Sequence, residues 1–111
     1  MKNFIYTSDI VDLNNFIDKS IKLKQLPNKY SMMGNNKTLG MIFFNPSLRT
    51  RLSTQKAAQN LGIKTITMNF NDEGWPIELE DKVVMDQNKS EHIKEAARVM
   101  SIYCDFIAVR A

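Results

Sequence analysis

The nine residues Phe43-Phe44-Asn45-Pro46-Ser47-Leu48-Arg49-Thr50-Arg51 constrain this chain more than any other stretch. An apolar run, Leu39 to Phe44, leads into them, and an amphipathic run, Leu52 to Leu61, leads out. That order predicts a strand ending at Phe44, a turn through Asn45-Pro46 and a helix entered near Ser47. A strand-to-helix turn gathers backbone N–H groups that have no partner inside the helix. This turn also carries two hydroxyls, Ser47 and Thr50, and two guanidiniums, Arg49 and Arg51. Such a set suits a phosphate or carboxylate dianion. The plainer alternative is an N-capped surface helix with a basic first turn. Cations in a first turn oppose the helix macrodipole, however, and a bound anion would compensate them. Spacing alone leaves both readings open.

Composition narrows the setting. A chain of 111 residues suffices for one small domain with a modest core. Its 43% hydrophobic and 24% charged content is that of an ordinary soluble globular protein. The net charge of +3 is spread along the chain, with no basic tract of the kind that forms a nucleic-acid arm. A weakly positive balance also suits a protein that collects anions. The single Cys104 excludes an intrachain disulfide and fits a reducing compartment; its apolar surroundings mark it as a small core residue. The start, Met1-Lys2-Asn3-Phe4, has no apolar signal core, and no stretch reaches the length of a membrane span. The expected location is therefore cytoplasmic, without a membrane partner.

Along the chain, Thr7-Ser8-Asp9 reads as a helix N-cap, followed by Ile10, Leu13, Phe16, Ile17 and Ile21 at helical spacing. This predicts an amphipathic helix over residues 9–24, closed by Pro27-Asn28. Tyr30 to Asn36 reads as a linker turning at Gly34-Asn35-Asn36. Thr38 to Phe44 is a nearly unbroken apolar run, fit for a strand buried on both faces. After the turn, Ala57, Ala58 and Leu61 give the next helix a narrow small-residue face, and Gly62 stands where a C′ residue belongs. Lys64 to Phe70 is β-branched and alternating, a second strand. Strand, helix and strand within about thirty-five residues make a βαβ unit.

Asn71 to Lys82 reads as a polar loop centred on Gly74-Trp75-Pro76, and Val83-Val84-Met85 as a short apolar patch. Trp75, the only Trp, either folds back on its own core or anchors a neighbour or ligand. After a second polar loop, Asp86 to Lys89, Ser90-Glu91 opens a helix whose apolar positions are Ile93, Ala96, Ala97, Met100 and Tyr103. Phe106 to Val109 reads as a third buried strand, ended by Arg110. The predicted fold class is α/β with a parallel sheet built from βαβ units. Ligands of such sheets sit beyond the strand carboxyl ends, where both the Ser47 turn and Arg110 would lie. Taken alone, Arg110 reads more simply as a solvated end-of-strand charge.

The run Phe-Asn-Pro-Ser-Leu-Arg-Thr-Arg resembles the Ser-x-Arg-Thr-Arg signature of the aspartate/ornithine carbamoyltransferase family. The resemblance continues through Glu73-Gly74-Trp75-Pro76-Ile77-Glu78, Val84-Met85-Asp86, Glu91-His92-Ile93 and Asp105-Phe106-Ile107-Ala108-Val109-Arg110. These segments are similar to the N-acetylornithine and N-succinylornithine carbamoyltransferase branch. The resemblance implies that Ser47, Leu48 through its main chain, Arg49 and Thr50 hold the phosphate of carbamoyl phosphate. Arg110 would contact the phosphate and the carbamoyl oxygen, so that Arg49 and Arg110 are the catalytic candidates. Trp75 would enter the active site of a neighbouring subunit in a homotrimer. Arg51 would support the turn rather than touch substrate. The implied reaction is carbamoyl transfer to the δ-amine of an Nα-acylornithine in arginine biosynthesis, with no metal or organic cofactor.

Ser90 bears on the acyl group. The branch typically has Glu at this position in acetylornithine enzymes and Pro in succinylornithine enzymes. A small neutral Ser would not repel the extra carboxylate of a succinyl group, and Lys89 and His92 nearby would add positive potential. Ser90 also reads as a simple helix N-cap. Succinylornithine is therefore the favoured substrate.

The family subunit is much longer, with a second α/β domain. Residues 1–111 would form an incomplete carbamoyl-phosphate-binding domain, without the ornithine-binding domain or the family's His-containing motif, which His92 does not match. The expectation is an N-terminal fragment, inactive alone. The alternative is a catalytically inactive carbamoyl-phosphate-binding module or truncated paralogue. A nucleotide-binding βαβ protein fits less well, because the turn has no Gly-rich phosphate loop.

Overall fold

The computed structural model describes residues 3–70 and 86–111, with residues 86–93 described by their backbone alone. Strand β1 (Thr38–Phe43) is central. Strands β2 (Lys64–Asn69) and β3 (Phe106–Arg110) pair with it on opposite sides, both parallel to it, in the order β2-β1-β3. The register sets Phe43 opposite Asn69 on one side and opposite Arg110 on the other. All three carboxyl ends therefore share one rim.

The apolar run of β1 is explained by cover on both faces, since residues 40–43 are all buried. Helix α2 (Leu48–Asn60) follows β1, and helix α3 (Asp86–Tyr103) precedes β3. Ile42 packs with Phe70 and with Ala96 and Met100 of α3, and Phe44, Met68 and Cys104 close around them. The Phe44 and Phe70 rings meet edge to face at 4.7 Å. A Cβ on Gly40 would lie 2.8 Å from both the Cys104 sulfur and the Met100 methyl, so the bare backbone admits α3 to the sheet. Alternation turns Met41 and Phe43 to the other face, where α2 lies; they and Ala58 are almost fully buried.

The inward row of α2 differs from the sequence expectation. Ala58 is buried, but Ala57 and Leu52 are exposed, and Thr50, Arg51, Thr54, Gln55 and Asn60 are half-buried. The row is read at i, i+3, i+4 and i+7 from Arg51, so a polar side chain begins it. The helix stops as Gly62 predicts. Gly62 has φ +78°, its N–H donates to the Gln59 carbonyl at 3.0 Å, and the Ile63 N–H donates to the Ala58 carbonyl at 2.9 Å. These two bonds form a Schellman motif.

Two helix boundaries and the burial of one strand need correction. Helix α1 spans Leu13–Gln25 and is capped by Asp12, whose carboxylate accepts the Asn15 N–H at 3.0 Å. Thr7–Asp9 forms a separate 3-10 turn instead. Asp9 accepts from the amides of Ile5 and Tyr6 at 2.8 and 2.9 Å, so its side chain points backwards and cannot cap α1. Helix α3 begins at Asp86, four residues before Ser90, which places Ser90 inside a helix rather than at its cap. The stretch from Asp86 to Lys89 holds no Gly or Pro to stop a helix, and an Asp suits the positive end. Strand β3 is not buried as expected: Phe106, Ile107 and Val109 are 50%, 41% and 59% exposed, and among the described residues β3 is an edge strand paired with β1 alone. The expected loop at residues 71–82 and the patch at 83–85 lie outside the described residues.

Helix α1 buries no residue, and its apolar side chains Leu13, Phe16, Ile17 and Ile21 remain 40–57% exposed. Among the described residues no helix is long and apolar enough to cross a membrane.

Candidate anion site at the strand carboxyl ends

Strand order reverses at β1: the chain goes to one side for β2 and to the other for β3. In open α/β sheets the crevice beyond such a reversal is where ligands bind. Here Ser47 leaves β1 in extended conformation, φ −157° and ψ 100°, and caps α2. Its Oγ accepts the Thr50 N–H at 3.3 Å, and its carbonyl accepts the Arg51 N–H at 3.1 Å. The amides of Leu48 and Arg49 have no acceptor among the described residues. They are the orphan donors of a helix N-terminus and carry its positive end.

Arg110 closes the other side. The Phe44 N–H donates to the Arg110 carbonyl at 3.0 Å, which ties the end of β3 to the start of the turn. An open cavity of about 640 Å³ lies between, lined by Ser47, Leu48, Arg49, Thr50, Leu52 and Arg110. Arg49 and Arg110 are exposed and form no ion pair with a carboxylate among the described residues. The crevice thus combines backbone donors, two hydroxyls and two free guanidiniums, which together can hold a multiply charged oxyanion.

Arg51 does not line this cavity. Its guanidinium lies 5.3 Å from the Phe43 ring centroid and donates to the Asn69 side-chain carbonyl at the end of β2. Sequence reading brings Ser47, Leu48, Arg49, Thr50 and Arg110 to one rim, and all five line the cavity. It misses Leu52, the apolar wall, and Asn69. Leu52 carries a readable signal, since it stands four residues after Leu48, one helical turn on; Asn69 is revealed only by strand register. Trp75 lies outside the described residues, and of Ser90 only the backbone is described, within α3. No group of three or more His, Cys, Asp or Glu suited to a metal occurs among the described residues.

Open parallel sheet, helices on both faces and an oxyanion crevice at the strand carboxyl ends define an α/β ligand-binding domain. The chain belongs to the aspartate/ornithine carbamoyltransferase family, whose carbamoyl-P binding domain matches residues 2–111. It is 51% identical over its whole length to an N-succinylornithine carbamoyltransferase of Bacteroides fragilis, covering 35% of that protein. It is 37% identical, again over its whole length, to an N-acetylornithine carbamoyltransferase of Xylella fastidiosa, covering 33%. The chain therefore spans about a third of the length of these curated relatives. Among solved structures, a Glu-to-Ser mutant of N-acetyl-L-ornithine transcarbamylase, complexed with carbamyl phosphate and N-succinyl-L-norvaline, superposes over the whole chain. The TM-score is 0.74 at 26% identity, covering 33% of that protein.

Proposed function

We propose that residues 1–111 are the carbamoyl-phosphate-binding domain of an acylornithine carbamoyltransferase of arginine biosynthesis. The convergence of Ser47, Arg49, Thr50 and Arg110 on one cavity carries this reading. The free amides of Leu48 and Arg49, the Ser47 and Thr50 hydroxyls and the Arg49 guanidinium hold the phosphate. Arg110, across the cavity, reaches the carbamoyl oxygen as well as the phosphate. The δ-amine of the acceptor attacks the carbamoyl carbon and charge builds on the carbonyl oxygen, where Arg110 stabilises it. The carbon–oxygen bond to phosphate then breaks, the departing phosphate takes up the proton that the amine gives up, and it leaves as a hydrogen phosphate dianion held by the charges of its site. Positioning and fixed charge suffice, and no cofactor is needed.

The acceptor is an Nα-acylornithine, with succinyl favoured over acetyl. Support comes from the higher identity to the succinylornithine relatives of Bacteroides fragilis and Bacteroides thetaiotaomicron, 51% and 49%, than to the acetylornithine relative, 37%. The solved relative that carries a Ser in place of a Glu is complexed with a succinylated ligand, and this chain has a small neutral side chain at Ser90. Trp75 would complete a neighbouring subunit's site in a cytoplasmic homotrimer; a single Trp within a polar stretch supports that role. The described crevice lies wholly on these residues, which also supports a second reading, a module that binds carbamoyl phosphate without turning it over.

A chimera separates the two. Residues 1–111 replace the matching third of the Bacteroides fragilis relative, and carbamoyl transfer to N-succinyl- and N-acetylornithine is assayed. Turnover with preference for the succinyl substrate is the expected result. Carbamoyl phosphate binding without turnover favours the module, and a clear preference for acetyl removes the role given to Ser90.

A further inference from the structure

We propose that Asn69 is a positioning residue for the anion crevice, acting through Arg51. The inference rests on the reading of the crevice as an oxyanion site. Arg51 is the one guanidinium of the nine-residue stretch that does not line the cavity, and the proposed chemistry leaves it unused. It begins the inward row of α2, half-buried, where an apolar side chain would normally sit. Two groups hold it there. The Phe43 ring lies under its guanidinium at 5.3 Å, and the Asn69 carbonyl oxygen accepts from its terminal nitrogen. Phe43 and Asn69 face each other in the β1–β2 register, so one rung of the sheet supplies both contacts.

The next link is through the main chain. The Arg51 N–H donates to the Ser47 carbonyl at 3.1 Å, which is the first bond of α2. A guanidinium pinned to the sheet thereby fixes the first turn whose free amides, at Leu48 and Arg49, face the cavity. Without the pin this turn has no apolar anchor, since Leu48 and Leu52 are 74% and 56% exposed. The acceptor's chemistry matters too. Asn69 is neutral, so it fixes the guanidinium without cancelling its charge, and the cation continues to favour an anion at the helix N-terminus. A carboxylate there would hold Arg51 equally well but offset that charge.

The test is a double-mutant cycle on the 111-residue chain, read by calorimetric titration with inorganic phosphate and by thermal melting. Asn69→Leu should weaken phosphate binding about tenfold, a loss in proportion to one hydrogen bond to a charged group. In an Arg51→Ala background the same change should have no further effect, because Asn69 acts only through Arg51. Asn69→Asp should keep the thermal stability that Asn69→Leu loses, since it keeps the acceptor, yet bind phosphate less tightly than the unmodified chain, since it offsets the Arg51 charge. If Asn69→Leu fails to fold, Asn69→Ser, too short to reach Arg51, takes its place in the cycle. The proposal is overturned if the unmodified chain binds phosphate and the Asn69 variants bind it equally well, or if the Asn69 loss persists without Arg51. Failure of the unmodified chain to bind phosphate at all overturns the crevice reading, and the proposal with it.

Discussion

The Ser47 hydroxyl accepts the Thr50 amide and keeps its own proton to donate, so one residue both caps the helix and lines the cavity. Substitutions can separate the two roles. Ser47→Ala should cost about 1 kcal/mol of stability through loss of the cap, and anion affinity should fall with it. Ser47→Asp should restore the cap and stability yet abolish anion binding, because it sets a carboxylate where the phosphate belongs. Melting curves and phosphate calorimetry on both variants check this; equal anion binding by Ser47→Asp would remove Ser47 from the site. Asp9 offers a separate check by pH. The Tyr6 amide first, and the Ile5 amide second, hold its carboxyl below the usual value of 3.8. A depressed folded pKa means that the turn is favoured fully above the unfolded pKa and loses that support as pH falls through the folded one. The amide shifts of Ile5 and Tyr6 should therefore move together below the ordinary carboxylate range, and the movement should vanish in Asp9→Asn.

At the scale of elements, β1 and α1 should respond unequally to truncation. Met41 is 1% exposed between the sheet and α2, so Met41→Ala should cost about 2–5 kcal/mol. Phe16 is 40% exposed on a helix that buries nothing, so Phe16→Ala should cost less than about 1 kcal/mol, as read from denaturant midpoints. These elements also show what a sequence displays. Strand β1, helix α2 and strand β2 are legible because their signals are local: an apolar run, a Ser cap, a Gly at C′. The start of α3 is not, because a polar first turn without a strong cap looks like a loop. The cap of α1 is ambiguous in sequence because Asp9 and Asp12 are both suitable acids, and only the backward turn at Ile5 and Tyr6 decides between them. In the crevice, Ser47 to Thr50 are adjacent in the chain, and Arg110 is placed by the rule about strand carboxyl ends. The clamp of Asn69 on Arg51 depends on register between β1 and β2, which one sequence does not state.

At the scale of the whole molecule, the described residues place unlike charge sets at the two rims of the sheet. The amino-end rim carries Lys64 and, 3.8 Å apart and half exposed, Lys37 and Asp105, a pair that contributes little stability. The carboxyl-end rim carries Arg49, Arg51 and Arg110, with no described carboxylate paired to them. This asymmetry draws an anion to one end, and its effect should weaken as salt is added. The apolar face of α1 and the exposed edge strand β3 make the chain in isolation prone to self-association. Sedimentation should show a mass that rises with concentration, and a monomer at every concentration would contradict that. The most direct measurement of the crevice is an amide-shift titration of the 111-residue chain with inorganic phosphate. Saturable shifts concentrated at Leu48, Arg49 and Thr50, with Arg110 moving on the same curve, are the predicted result. Shifts that never saturate, or that gather at surface lysines such as Lys19 and Lys22 and leave the Ser47 turn unmoved, would contradict it.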